Sequence, residues 1–460
     1  MTDPRIMIVG AGPAGIRAAE TLAVAGLRPL VVDEGLRAGG QIYRRPPPGF
    51  IRPPEALYGT EADKAHALHG TFDELVQAGR VEHLAQSSVL GFSAAGAHAA
   101  TPAGQRVLPY DRLIIATGAT DRLAPVPGWQ APGVYSLGAT QIALKAQGVA
   151  LGRQIVLAGS GPLLTLVAYQ LLKAGARIEA VLDTAPLTTQ VAALPGLLAR
   201  PVFAWRGMTM RARLGRRYQA GVSLHEIEGH ATGVTAVHWA DAGGKRHRSP
   251  CDMVGMGWHL RAETQLAGLA GAEFDWSEMW AQWLPRVDRH GRARDGVYLA
   301  GDGLRILGAD GAEVAGRLAG AACLTDMGRT APDTRGDLAR LDQLERFAGG
   351  IARAFPWPAA MVRALPDTAV VCRCEGVTVS TLHAMVDHGG AEANRVKSLS
   401  RVGMGRCQGR YCQLAAAELI AGRSGARPCD VGRLRDQPPV RPALIGGLMQ
   451  TRPTDGPDPA

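Results

Sequence analysis

At 460 residues the chain has the length for about three domains of ~150 residues, with interior enough to bury a core without disulfide staples. Only 20% of residues are charged while 46% are hydrophobic, which excludes wholesale disorder. The +9 surplus is scattered arginine, densest at Arg206, Arg211, Arg213, Arg216 and Arg217, with no lysine block or interleaved aromatics, so no nucleic-acid partner is expected.

The chain opens on a β-α-β pattern. Ile6 to Val9 is a short apolar strand, Gly10-Ala-Gly-Pro-Ala-Gly15 a tight turn, Ile16 to Ala25 a helix, and Pro29 to Val32 a second strand ending at Asp33-Glu34. No apolar leader or cleavage site precedes the first strand, which predicts a cytoplasmic protein. In such a turn Gly10 permits the bend, Gly12 admits a pyrophosphate to the backbone, and Gly15 lets helix pack on strand. The helix start, at Pro13 and Ala14, faces the phosphates, and the free N–H groups that follow Pro13 point at them. Glu34, 24 residues after Gly10, is the expected ribose acid.

A second unit of this kind begins at Gln154 to Ala158, turns through Gly159-Ser-Gly161, continues as a helix to Ala174 and ends in Ile178 to Asp183. The uncharged stretch Gln154 to Leu172 approaches bilayer length, but Gly159 to Pro162 interrupts it, so no transmembrane segment is expected. Leu164 stands where the third glycine would be, and Asp183 where a ribose acid would be; NAD(P), another adenine nucleotide and an empty vestigial fold all stay open here.

Three further pieces belong with the first fold. Gly39-Gly40-Gln41-Ile-Tyr-Arg44 is a loop, Asp111 to Ala116 a strand running into Thr117-Gly118, and Gly296 to Ala300 a strand closing in Gly301-Asp302, followed by a helix of small residues from Ala312 to Ala322. In this order they resemble the flavoprotein reductases of the thioredoxin-reductase and glutathione-reductase type. That resemblance implies FAD lying across the first fold, Asp302 bonding its ribityl or pyrophosphate portion, and Gly40, Gln41, Thr117, Gly118 and Gly301 beside it. The redox Cys-x-x-Cys of those reductases has no counterpart here, so disulfide reduction is not expected.

Arg329 to Gly336 is polar, Asp337 to Phe355 has helical spacing, and Pro356-Trp-Pro358 ends it. Beyond lie Cys372-Arg-Cys374 and, after 32 intervening residues, Cys407-Gln-Gly-Arg-Tyr-Cys412. Four thiolates can hold zinc or an iron-sulfur cluster; Cys-x-Cys with Cys-x4-Cys suits zinc knuckles less, and His383 and His388 are not needed as ligands. The pattern, with Glu375 and Gly403 to Arg406, resembles the bacterioferritin-associated ferredoxin domain, which implies [2Fe-2S]. Arg373, Lys397, Arg401, Arg406 and Arg410 would give it a cationic setting. Cys251, Cys323 and Cys429 are expected to be small buried hydrophobes. Pro438-Pro-Val-Arg-Pro442 and Pro453 to Ala460 read as extended chain.

Together these features resemble the α (A) subunits of heteromeric FAD-dependent amino-acid and opine dehydrogenases. That group holds the A subunits of octopine and nopaline oxidases, the α subunits of D-hydroxyproline and dye-linked proline dehydrogenases, and the B subunit of hydrogen cyanide synthase. The fold class implied is α/β, with two interleaved Rossmann-like domains of the flavoprotein disulfide-reductase type plus a small, mainly helical iron-sulfur domain. The FAD domain is expected at 1–120 and 285–330, the inserted nucleotide-type domain at 121–284, a helical linker at 331–366, the [2Fe-2S] domain at 367–425 and an extended tail at 426–460. The resemblance further implies a hetero-oligomer. A partner β flavoprotein of the D-amino-acid-oxidase or glycine-oxidase type would oxidise the amine, some assemblies adding FMN at the junction or a small third subunit. This chain would carry electrons and no catalytic acid, base or nucleophile. A self-sufficient NAD(P)H-dependent reductase is the alternative function, and a docking scaffold with a metal domain a further one.

Overall fold

The structure, a computed structural model, describes residues 4–446. The first fold is a six-stranded sheet in the order Arg292–Arg294, Val297–Leu299, Arg112–Ile115, Ile6–Val9, Leu30–Val32, Glu82–Leu84; all neighbours are parallel except the edge strand Arg292–Arg294. Ile6 to Val9 are all buried, as a central parallel strand covered on both faces requires. The helix starts at Pro13, three residues before the apolar periodicity, because proline at the first helical position loses no hydrogen bond. Against it lies the helix Gly308–Asp326, longer than its small-residue run. A Cβ on Gly316 would meet the Ala14 carbonyl oxygen at 2.1 Å, so the small residues set how closely the two helices approach.

The second fold is a five-stranded parallel sheet, Tyr218–Ala220, Arg177–Asp183, Gln154–Ser160, Met253–Trp258, Val134–Ser136. Its helix Pro162–Lys173 and the strand before it account for the uncharged stretch, and no described helix is long and apolar enough to cross a membrane. The short antiparallel pair Ala119–Asp121 and Leu260–Ala262 joins the two folds. Two antiparallel meanders, Ser88–Leu108 and Ser223–Pro250, and the helices between 187 and 214 are added to the two sheets; glycines at positive φ, such as Gly104 and Gly233, sit in the meanders, and Pro201 opens the helix Pro201–Leu214. Of the arginine run, Arg206 is paired with Glu61 at 2.8 Å and Arg211 lies over the Tyr218 ring at 4.1 Å.

The helix Arg335–Ala354 leads to the C-terminal domain, whose helices Val379–Gly389, Ala393–Ser400 and Gln413–Ser424 enclose Val371, Leu382, Val396 and Leu419. The Trp129 indole N–H donates to the Val370 carbonyl at 2.6 Å, fixing this domain to the second fold. Within the segment read as extended tail, Pro428–Val431 forms one helical turn, and the chain then crosses to the first fold, where the Val440 N–H donates to the Leu90 carbonyl. Pro453 to Ala460 lie outside the described residues.

Candidate functional site

The crevice lies beyond the carboxyl ends of the first sheet's parallel strands, where dinucleotides bind in open α/β sheets. Gly10 has φ +107°, and a Cβ there would sit 2.4 Å from the Ala116 carbonyl oxygen; on Gly15 it would sit 1.8 Å from the Gly10 carbonyl oxygen. Gly12 differs: the nearest atom to its Cβ position is the Gly40 Cα at 3.7 Å. Gly10 and Gly15 are therefore glycine for internal fit, while Gly12 keeps open a cradle bounded by backbone, into which a Cβ on Gly40 would intrude at 2.9 Å from the Gly12 Cα. Pro13 and Ala14 open the helix above it, and Gly301 packs its Cα face against Ala14.

The acids are arranged differently from the expectation. Asp33 points back at the turn, accepting from the Ala11 N–H at 2.6 Å and the Gly35 N–H at 2.7 Å. Glu34 is exposed and accepts from the Arg441 Nε at 2.5 Å. The missed signal was the strand end: Val32 is the last paired residue, so the next position, Asp33, faces the glycine turn. Asp302 accepts from the N–H groups of Leu307 and Gly308 at 2.9 and 3.0 Å through one oxygen, and the other has no protein partner among the described residues. Burial pushes its carboxyl up to about 6. The Gln41 carbonyl is taken by Arg44, and the Thr117 hydroxyl donates to the Glu263 carbonyl at 2.8 Å, so neither side chain is free in the crevice. An open backbone cradle at a helix start and two carboxylates at strand ends fit a dinucleotide such as FAD.

The four cysteines converge as two pairs. Cys372 is hydrogen-bonded with Cys412, and Cys374 with Cys407. That thiol contact, with the backbone N–H groups of Gly403, Glu375 and Cys374, pulls the Cys372 thiol down to about 6. Two thiol pairs lined by N–H donors fit a two-iron cluster, two cysteines per iron. Gly405 leaves room for the arrangement, since a Cβ there would lie 2.2 Å from that of Cys374. His383 faces Asp367 at 3.6 Å, and His388 is exposed. Cys251 and Cys323 are buried, their thiols pushed up to about 12 by burial; Cys429 is only half-buried.

The cationic setting is smaller than the residue count suggests. Arg401 is paired with Glu375 at 2.8 Å, Arg373 lies over the Trp129 and Tyr411 rings, and the Lys397 Nζ donates to Gln437. Arg410 is buried against a buried partner, donating from Nε to Glu263 at 2.5 Å. Glu263 ties the two halves of the site together, because its N–H donates to the Gly118 carbonyl at 3.0 Å and its carbonyl holds Thr117. Alongside it, Arg261 donates to the Arg410 carbonyl at 2.7 Å and Gln265 to the Gln408 carbonyl at 2.7 Å. The segment 261–265 thus bonds the Thr117-Gly118 turn on one side and the loop carrying Cys407 and Cys412 on the other.

Fold and thiols together define a flavoprotein with a resident iron-sulfur domain: residues 4–319 match the pyridine nucleotide-disulphide oxidoreductases and residues 370–422 the BFD-like [2Fe-2S] binding domain, and the cofactors are FAD and [2Fe-2S]. The chain is 36% identical to the A subunit of an opine oxidase from Rhizobium meliloti, over 97% of this chain and 87% of that one. It belongs to that oxidoreductase family. It is also 29% identical to the HcnB subunit of hydrogen cyanide synthase from Pseudomonas protegens over 95% of each chain. L-proline dehydrogenase from P. horikoshii has the same fold, with a TM-score of 0.70, 19% identity, and coverage of 97% of this chain and 79% of that one.

Proposed function

We propose that this chain is the electron-transfer subunit of a heteromeric dehydrogenase acting on an amine or amino acid of the opine, hydroxyproline or proline type. A partner flavoprotein of the D-amino-acid-oxidase type oxidises the carbon–nitrogen bond. Electrons pass through [2Fe-2S] and FAD to an external acceptor, and FMN is assigned to the junction between subunits. Gly12, Asp33, Gly40 and Asp302 line the FAD site on a turn that Gly10 and Gly15 permit, and Cys372, Cys374, Cys407 and Cys412 hold the cluster. One-electron exchange is what the cluster supplies when bound, and one- or two-electron exchange what FAD supplies.

The observation that carries this reading is the buried bridge of Arg261, Glu263, Gln265 and Arg410 between flavin turn and cluster loop. A bridge of backbone bonds and one buried ion pair holds two redox sites at a fixed separation. The names of the relatives, which are subunits, support the requirement for a partner. Expressed alone, the chain should show flavin and cluster absorbance yet no amine-dependent dye reduction, and co-expression with an adjacent D-amino-acid-oxidase-like frame should restore it. Substantial turnover by the isolated chain would overturn the subunit reading. Bleaching of its flavin by NADH would favour a self-sufficient reductase.

A further inference from the structure

The motif Pro438 to Pro442 has no part in the site as described, yet the fold carries it back to the flavin crevice. Arg433 lies over the Phe274 ring at 3.7 Å and bonds Asp436 at 2.5 Å. Asp436 fills the space where a Cβ on Gly268 would stand, and Pro438 crosses Gly91. Val440 is buried and bonded to Leu90. The next residue, Arg441, is thereby delivered to Glu34 at the carboxyl end of the strand Leu30–Val32. Its charge also acts on Glu263, the residue that bonds the Thr117-Gly118 turn. Arg441 is therefore positioned across the mouth of the crevice, between the adenosine side and the flavin turn.

Only its Nε is engaged; the two terminal nitrogens have no acceptor among the described residues, and the side chain is 33% exposed. The turn Gly10 to Gly15 has no cationic side chain, although a dinucleotide brings two negative charges to it. An arginine with its terminal nitrogens free, oriented by a carboxylate on its Nε, has the chemistry of a phosphate ligand.

We infer that Arg441 is a residue of the FAD site, bonding the diphosphate-ribose half of the dinucleotide from a strap that follows the cluster domain in sequence, and that Glu34 orients the guanidinium. The inference rests on FAD in the first fold and not on the direction of electron flow. The test uses the full chain stripped of FAD and titrated with FAD and, separately, with ADP as the probe for the diphosphate half. Arg441→Gln should weaken both by roughly tenfold or more, Arg441→Lys by less, with the apoprotein melting temperature and the visible cluster spectrum unchanged. Affinities within about twofold of wild type would overturn it. So would weaker FAD with unaltered ADP, or a fall in apoprotein melting temperature that Arg441→Lys does not rescue, which would make the strap a structural tie only.

Discussion

The first fold carries Gly15 where its helix meets its strand; the second carries Leu164, fully buried among Leu157, Val167 and Val181. The first leaves Asp33 partly buried at the edge of an open cradle. The second seals its equivalent, Asp183, at 0% exposure beneath the Tyr218 hydroxyl, with the Ala185 N–H at 2.9 Å and Gln190 at 3.5 Å completing its bonds. Near-identical β-α-β topology thus presents an open glycine turn in one place and a filled one in the other. Both acids already accept bonds from the chain, so the difference lies in how far each is sealed: Asp33 is half-buried beside an open turn, Asp183 fully buried beneath Tyr218. His259, at φ +66° and seated against Gly161, occupies the same side of the second turn, where burial lowers its imidazole to about 4 and keeps it neutral.

The largest effect expected is from a methyl group in the turns themselves. Gly10→Ala must displace the Ala116 carbonyl at a φ that disfavours side chains, which should cost at least about 3 kcal/mol and abolish FAD retention. Gly159→Ala meets the Gly257 carbonyl oxygen at 1.8 Å and should destabilise as much, but FAD per correctly folded molecule should stay at wild-type stoichiometry. Absorbance of gel-filtered protein separates the two outcomes, and equal FAD loss per folded molecule would erase the distinction between the folds. Next, Leu164→Ala should lower stability by roughly 3 kcal/mol in urea titrations, as for a leucine in a packed core; a change under about 0.5 kcal/mol would mean that the position is not core.

Lys145 tests the seam between the folds. It is buried on the second fold's side, and among the described residues its Nζ reaches only the Ile42 carbonyl of the first fold's loop, at 3.4 Å. Burial lowers its ammonium to about 8 from the usual 10.5. Between those values the unfolded chain binds more protons than the folded one, so this residue makes apoprotein stability rise with pH across that window, and its cost is complete below pH 8. Lys145→Met should flatten that rise and stabilise the apoprotein at pH 7 by up to about 3 kcal/mol. An unchanged pH profile would show that the ammonium is hydrated in solution.

What the sequence made legible was local. Turns such as Gly10 to Gly15 and pairs such as Cys372 and Cys374 announce themselves because the backbone or the metal demands particular residues at fixed spacing. Asp33 was within reach but hidden by one position, since both Asp33 and Glu34 follow the strand and only the strand's last paired residue decides which faces the turn. Arg410 was expected beside the cluster, but its pairing with Glu263 was not legible. They are 147 residues apart, each looks like a surface charge, and only the docking of the cluster domain buries them together. That pairing also changes the expectation for the cluster's surroundings, because removing Arg410 would uncover a buried carboxylate as well as delete a cation.

The smallest effect bears most directly on the comparison. Tyr218→Phe removes the hydroxyl that donates to Asp183 and leaves the carboxylate with its bonds to Ala185 and Gln190, a loss of about 1 to 2 kcal/mol for a buried charged acceptor. If the tyrosine alone kept a nicotinamide nucleotide out, the variant would gain NADH binding and its flavin would bleach on mixing anaerobically. Phenylalanine keeps the ring in place and Leu164 still fills the helix start, so the expected result is lower stability with no gain in NADH-dependent bleaching over wild type. Rapid bleaching in either protein would show that the second fold is a working nucleotide site whose acid is uncovered by ligand. The two folds would then differ in when they open rather than in whether they can.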